Sequence, residues 1–160
     1  MEAGSRPARL GGNPIGIHYL AHRLWRGGVP LLPTLLEAFL FLVWNVRLPY
    51  QTQVWQGCTI AHGGVGIVVH PDAQIGRDVV LCQQVTIGGT GTRQGAPVIG
   101  DGVYLGAGAK VLGPVEIGSH CIIGANAVVV HDVPSRCIAA GVPAHVISSG
   151  VLAQSHLKES

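Results

Sequence analysis

A histidine set among glycines offers the clearest chemistry in this sequence. His62 lies in the stretch IAHGGVG at residues 60–66, and the glycines around it predict a tight backbone turn that interrupts any regular strand. An imidazole is available as a neutral base at physiological pH. A base held on an exposed turn can remove a proton from a bound hydroxyl group. From its residue type and neighbours alone, His62 is therefore either a general base or a corner histidine that is hydrogen-bonded to the backbone.

A pair of histidines and two cysteines do not predict a further functional site. His18 and His22 are four residues apart on a predicted helix, but no third ligand accompanies them, so we predict no metal site. Cys58 and Cys121 fall at inward-facing positions for small residues, where a thiol acts as a small apolar group. Neither thiol has a partner base in the sequence pattern. We therefore predict that neither cysteine is a nucleophile.

The composition limits the class of protein. A chain of 160 residues with 48% hydrophobic residues is sufficient for one domain with its own core. The net charge of +2 is too weak to indicate a nucleic-acid partner. No two of the four cysteines are spaced as CxxC, and residues 1–12 are polar and glycine-rich, unlike a signal peptide. We therefore expect reduced thiols and a cytoplasmic location.

A large aliphatic residue returns every six positions along most of the chain. Only Arg93 breaks the series, within a stretch rich in Gly and Thr at residues 88–97. Four positions after each aliphatic residue comes a second small or apolar residue. A period of six matches neither an α-helix nor a simple strand. The aliphatic residues are Ile75, Leu81, Ile87, Ile99, Leu105, Val111, Ile117, Ile123 and Val129; the second set is Val79, Val85, Val103, Ala109, Val115, Cys121, Ala127 and Val133.

The six-residue period predicts an all-β fold, a single-stranded parallel β-helix in which three hexapeptides form one triangular coil. Stacked coils pair their backbones and bury one aliphatic column per face. We expect this β-helix over residues 48–146, after a helical segment at 1–47 and before a tail at 147–160. The loop at 89–97 should leave the coil. Corners with positive φ are expected at Asp72, Asp78, Gly102, Gly108, His120, Asn126 and Asp132.

Two short α-helices should precede the β-helix. Apolar residues at helical spacing predict the first at 15–26, and a Gly-Gly pair ends it. The second is expected at 34–46, with Thr34 as N-cap and Glu37 completing a capping box. The apolar run at 29–46 is too short to span a bilayer and carries a carboxylate. We expect this helix to be buried against the body or a neighbouring subunit, rather than to contact a membrane surface.

Three stretches resemble the serine acetyltransferase branch of the hexapeptide acyltransferases. Residues 60–69 resemble that family's active-site coil, and residues 84–91 (QVTIGGTG) its turn before a mobile loop. Residues 103–113 together with 141–144 (GVPA) resemble its coenzyme-A-binding end. The resemblance implies a left-handed β-helix, against the right-handed preference of ordinary crossovers. It also implies a homotrimer, in which acetyl-CoA lies between neighbouring β-helices and one subunit's histidine serves each site; pairing of two trimers stays open.

The resemblance implies an O-acetyltransferase that uses acetyl-CoA as co-substrate, with no permanently bound cofactor and no metal. His62 is then the catalytic base in a direct ternary complex. Backbone amides of 63–66 or 88–90 are candidate oxyanion donors, and Lys110 and Arg136 are candidate phosphate ligands. The candidate donor-binding residues are Thr86, Gly88, Gly89, Ala107, Ala109, Lys110, Ala125 and Arg136; the candidate acceptor-binding residues are Gly63, Gly64, His70 and Arg93.

The features by which that family recognises serine are absent. Ala61 replaces the acidic residue that precedes the catalytic histidine, and Arg47 aligns with the Asp that orients it. The family's Asp-Arg-His-Pro loop is replaced by QGAP at residues 94–97. The short chain also resembles compact acetyltransferases of capsule and exopolysaccharide pathways. A sugar hydroxyl is therefore as consistent an acceptor as serine, and a non-catalytic hexapeptide-repeat scaffold or regulatory subunit is the alternative.

Overall fold

The computed structural model describes residues 14–91 and 94–150. Two helices come first, and fourteen short strands follow within these residues. The helices are α1 (Pro14–Arg26) and α2 (Leu32–Trp44). The strands are β1 (Gln53–Val54), β2 (Thr59–Ile60), β3 (Val68–Val69), β4 (Gln74–Ile75), β5 (Val80–Leu81), β6 (Thr86–Gly88), β7 (Val98–Ile99), β8 (Tyr104–Leu105), β9 (Lys110–Leu112), β10 (Glu116–Ile117), β11 (Ile122–Ile123), β12 (Val128–Val129), β13 (Cys137–Gly141) and β14 (Ala144–Ser149).

The strands form the three faces of a prism. Face I contains β1, β4, β7 and β10, face II contains β2, β5, β8, β11, β13 and β14, and face III contains β3, β6, β9 and β12. Every pairing between coils is parallel, and only the last hairpin, β13 with β14, is antiparallel. The chain visits the faces in turn, so each coil contributes one strand to each face. The predicted two-helix segment and left-handed parallel β-helix are confirmed.

The pairing register shows where the coil is interrupted. In regular coils a residue pairs with the one 18 positions on, as Val98 does with Glu116. Across the His62 turn the separation is 21, from Gln53 to Gln74. Across the loop after β6 it is 24, from Gln74 to Val98. The turn therefore inserts three residues and the loop six, and both insertions leave the faces in register.

The six-residue period describes the core correctly. Each aliphatic residue of the series from Ile75 to Val129 is buried, as are the eight residues of the second set from Val79 to Val133, whereas Gly91, four positions after Ile87, is exposed where the loop leaves the coil. Five of the seven predicted corners have positive φ. The prediction was wrong at Asp72 and Asp132, which lie at the corners between faces III and I. The five with positive φ, at Asp78, Gly102, Gly108, His120 and Asn126, all lie at the other two edges.

The second helix begins earlier than predicted and is only partly buried. It begins at Leu32, two residues before the predicted N-cap Thr34, and no side chain caps it. Leu31 precedes it with φ of 65°, so the chain enters the helix from a turn and the capping box does not form. Along α2 only Pro33 and Leu40 are buried. The body of the chain covers only a narrow stripe of the helix, and burial of the rest by a neighbouring subunit stays a prediction.

The first helix carries a buried histidine against the first coil. His18 is 1% exposed, and neither ring nitrogen has a hydrogen-bond partner among the described residues. Burial, with a smaller contribution from the nearby His22 ring, lowers the pKa of His18 from 6.5 to about 4. The carbonyls of Leu48 and Thr52 favour the protonated ring, but their effect is smaller. His18 is therefore held neutral in the folded chain.

This burial predicts a loss of stability in mild acid. The unfolded chain binds a proton at residue 18 below about pH 6.5, while the folded chain does so only near pH 4. Stability should therefore fall as the pH drops from about 6.5 to 4, by up to about 3 kcal/mol. Urea unfolding at several pH values and one protein concentration measures the slope. In His18→Gln the unfolding free energy should change less with pH between about 6.5 and 4. An equal slope in the variant and the wild type would contradict the assignment of this pH dependence to His18.

Candidate active site

The turn that carries His62 is a left-handed insertion between faces II and III. Residues Ala61–Gly64 form a kinked turn after β2, in which His62 (φ 53°) and Gly63 (φ 72°) have left-handed rather than helical backbone angles. The turn is tied to the end of α2, because the Gly66 N–H donates to the Asn45 carbonyl at 3.0 Å. Its own closing bond runs from the Ile67 N–H to the Gly64 carbonyl at 3.0 Å. The three inserted residues therefore push the imidazole out of the prism.

The inner side of this turn is packed against the core, whereas the His62 imidazole points into solvent. A methyl group at Gly64 would lie 2.5 Å from Ile60 Cγ2 and 3.0 Å from Val46 Cγ2, so the core admits only glycine there. His62 itself is exposed. Its ring makes no hydrogen bond or ion pair with any residue in 14–91 or 94–150. An imidazole fixed by its backbone and free at both nitrogens is suited to accept a proton from a bound molecule.

Two of the predicted donor-binding residues lie along the same edge as His62. This histidine edge consists of the corners between faces II and III, at residues 61–66, 83–84, 107–108 and 125–126. Successive corners are stacked, since the Gln84 N–H donates to the Val65 carbonyl and the Gly108 N–H to the Gln83 carbonyl, both at 2.9 Å. The corner at 83–84 therefore lies next to the His62 turn, and beyond it Ala107 and Ala125 continue the edge with small side chains.

Three further candidates lie on face III or inside it. Thr86 pairs with Lys110 in neighbouring strands, and Lys110 is exposed. Ala109 is 0% exposed, because its side chain belongs to the core column. A donor at this position can therefore contact only the backbone of Ala109, and its part in donor binding stays a prediction.

The remaining candidates lie elsewhere on the prism. His70, Gly88 and Gly89 are at the edge between faces III and I, here called the loop edge, where a methyl group at Gly89 would lie 3.7 Å from the His70 ring. The His70 ring faces Asp72, with 3.9 Å between Nδ1 and Oδ2. Arg136 is on the third edge, at a corner with φ of 59°. Arg93 lies outside the described residues. Within one chain, therefore, His62 does not meet His70 or Arg136.

Two side chains that the sequence pattern did not single out have unpaired buried polar atoms. Gln83 Oε1 and Thr90 Oγ1 have no hydrogen-bond partner within the described part of the chain. Gln83 lies on the histidine edge one coil above His62, and Thr90 opens the loop. An unpaired buried polar atom costs about 1–3 kcal/mol, so such atoms often mark the place of a bound partner. Only the folded chain shows that these two atoms are shielded from water.

Cys58 and Cys121 lie in the core of the prism, as predicted. All four are buried and unpaired by disulfides. Burial raises the pKa of the Cys58 and Cys121 thiols, which disfavours the reactive thiolate. Among the described residues, no three His, Cys, Asp or Glu side chains are grouped as a metal site.

Comparison with known proteins defines the class of this chain. The family described as bacterial transferase hexapeptide (six repeats) matches residues 96–131. A serine acetyltransferase of Synechococcus elongatus is 41% identical over 137 residues, which are 84% of this chain and 56% of the relative. The solved serine acetyltransferase of Neisseria gonorrhoeae superposes with a TM-score of 0.79 at 33% identity, over 92% of this chain and 58% of that one. A serine acetyltransferase solved in complex with CoA gives a TM-score of 0.76 at 35% identity, over 84% and 55%.

Fold, repeat and turn together define a class. The chain belongs to the hexapeptide-repeat acyltransferases. Within that class it is similar to the serine acetyltransferases. It spans slightly more than half the length of the curated relatives it matches, 56% and 57% for the first two.

Proposed function

We propose that this chain is an acetyl-CoA-dependent O-acetyltransferase with His62 as general base. The observation that carries the proposal is the exposed imidazole on a left-handed turn, without a hydrogen-bond partner in the described part of the chain, in a chain similar to serine acetyltransferases. In the reaction the acceptor O–H proton passes to His62 as the oxygen bonds to the thioester carbon. The C–S bond then breaks, and the CoA thiolate leaves and takes up a proton. No covalent enzyme intermediate is required.

The distribution of the site residues favours a homotrimer. His62 is on the histidine edge, while His70, Gly89 and Thr90 are on the loop edge across face III. A site that uses both edges requires the loop edge of a second chain beside the histidine edge of the first. A closed three-fold ring supplies that contact at each of three equal sites.

The four free cysteines agree with a cytoplasmic location.

The acceptor is a small hydroxylated molecule, and the local charges do not favour serine over a sugar. Ala61 provides no carboxylate beside the base for an ammonium group. Arg47, which aligns with the family's orienting Asp, is exposed on face III, where it lines a groove with Thr34 and Glu37. Release of CoA, followed with a thiol reagent over serine, homoserine and a set of sugars, identifies the acceptor. The absence of both CoA release and acetyl-CoA binding would favour the scaffold alternative.

Restoring the missing carboxylate should improve the use of serine. In Ala61→Asp, a carboxylate next to His62 would attract the serine ammonium group. The expected gain in kcat/KM for serine is up to about fivefold, as for a half-exposed charge pair worth about 1 kcal/mol. Ala61→Asn is the matched control, because it has nearly the same shape without the charge. If both variants change serine turnover equally, the charge at position 61 does not select the acceptor.

A further inference from the structure

The outward face of α2 is apolar where a surface helix is normally polar. Leu35 and Leu42 point away from the prism and are 63% and 80% exposed. Surface helices normally place charged residues on the side opposite the core. The only charged residue of α2, Glu37, faces the groove that contains Arg47. The large exposed side chains of this outward face are Leu31, Leu32, Leu35, Phe39, Leu42 and Val43.

The outward face by itself is smaller than a stable interface between two copies of the chain. A helix of 13 residues is about 20 Å long and about 10 Å wide with its side chains. A strip of that size is well short of the roughly 800 Å² that each partner buries in a stable protein interface. An interfacial helix in a bilayer buries its own apolar face and needs basic residues beside that face to contact the headgroups. At about 20 Å, α2 is also too short to cross a hydrocarbon core of about 30 Å, and no helix of the described residues qualifies as a span.

The charge next to this face indicates the kind of membrane. Arg23 and Arg26 end α1 and are exposed, close to the turn where Val29 and Leu31 project. The first 31 residues of the sequence contain four arginines and one acidic residue. Basic residues next to an apolar surface are attracted to anionic headgroups. The apolar face and the arginines therefore both suit the surface of a membrane with anionic headgroups.

We propose that α2 docks this chain on the surface of a bilayer that contains anionic lipids. The outward face lies at the boundary between headgroups and acyl chains, and Arg23 and Arg26 contact the headgroups. The opposite end of the helix is next to the His62 turn, since a methyl group at Gly63 would lie 3.9 Å from Trp44 Cδ1. Docking would therefore hold the histidine edge near the bilayer surface. The proposal does not depend on the acetyl-transfer activity.

Vesicle co-sedimentation of the full chain tests the proposal. The wild-type chain should sediment with vesicles of phosphatidylcholine and phosphatidylglycerol, and much less with phosphatidylcholine alone. Leu35→Glu with Leu42→Glu should lower the bound fraction about tenfold or more, because a charge at the acyl boundary opposes insertion. Arg23→Gln with Arg26→Gln should weaken binding only to the anionic vesicles. Ile147→Glu, an equally exposed apolar position at the far end of the prism, is the matched control and should bind as the wild type does.

Light scattering of the same variants completes the test. Retention of the wild-type molar mass by the Leu35→Glu, Leu42→Glu variant supports the proposal, since both positions are exposed and the fold should tolerate the charges. No wild-type binding to either vesicle type overturns it. It is also overturned if the double variant binds as well as Ile147→Glu does. Loss of molar mass in the double variant would assign the face to another copy of the chain instead.

Discussion

Replacing His62 with alanine should abolish acetyl transfer while leaving the folded chain intact. The side chain is exposed and makes no hydrogen bond within the described residues, so its removal costs the fold little. A positioned general base typically contributes about 10²–10⁴ in rate. We therefore expect kcat/KM to fall by that factor. The measurement is CoA release at saturating acetyl-CoA with the best acceptor from the panel.

Binding measurements separate loss of the base from loss of the site. Titration calorimetry should give the same acetyl-CoA affinity for His62→Ala as for the wild type, and light scattering the same mass. His120→Ala is the matched control, because this imidazole also lies at a corner with positive φ, 60°, but on the edge between faces I and II, away from both the histidine edge and the loop edge. A rate near that of the wild type in His62→Ala would show that another group is the base. Loss of acetyl-CoA binding would instead place His62 in donor recognition.

Adding one methyl group at Gly64 should destabilise the turn that holds the base. Gly64 has φ of 72°, and its added Cβ would lie 2.5 Å from Ile60 Cγ2. The left-handed backbone costs a non-glycine residue about 1–2 kcal/mol, and overpacking a core adds about 1–3 kcal/mol. We expect Gly64→Ala to lose about 2–5 kcal/mol of unfolding free energy in urea, and to lose acetyl transfer as the turn shifts.

Gly63→Ala is the matched control for that prediction. Gly63 has the same φ of 72°, but its added methyl group would meet nothing closer than 3.9 Å. This variant should lose only the backbone contribution, about 1–2 kcal/mol. The difference in unfolding free energy between Gly64→Ala and Gly63→Ala then measures how much packing against the core stabilises the His62 turn. Equal losses would mean that the backbone conformation alone, and not packing beneath the turn, positions the imidazole.

The scaffold alternative makes a different prediction for the same variants. A β-helix without catalytic activity would lose stability in Gly64→Ala in the same way, because that loss comes from the core. It would show no acetyl transfer in the wild type, and His62→Ala would change nothing. The pair of variants therefore tests packing and chemistry separately. Similarity to serine acetyltransferases favours the enzyme.

The sequence by itself determined the inside of the prism and the candidate base. Whether a side chain points inward depends on its place in the hexapeptide, so the buried columns from Ile75 to Val129 could be predicted residue by residue. The same local rule predicted that the glycines beside His62 would form an irregular turn. Burial and turn geometry of this kind depend on neighbours within a few positions along the chain.

Only the tertiary structure decided which outward residues share an edge. His62 and His70 lie on opposite edges of face III, because strand β3 runs between them, although only eight positions separate them in the sequence. The unpaired atom of Gln83 depends on the coils stacked above and below it, and the exposure of α2 depends on how the helix meets the first coil. These contacts and exposures depend on residues that are distant along the chain, so a local sequence pattern does not predict them.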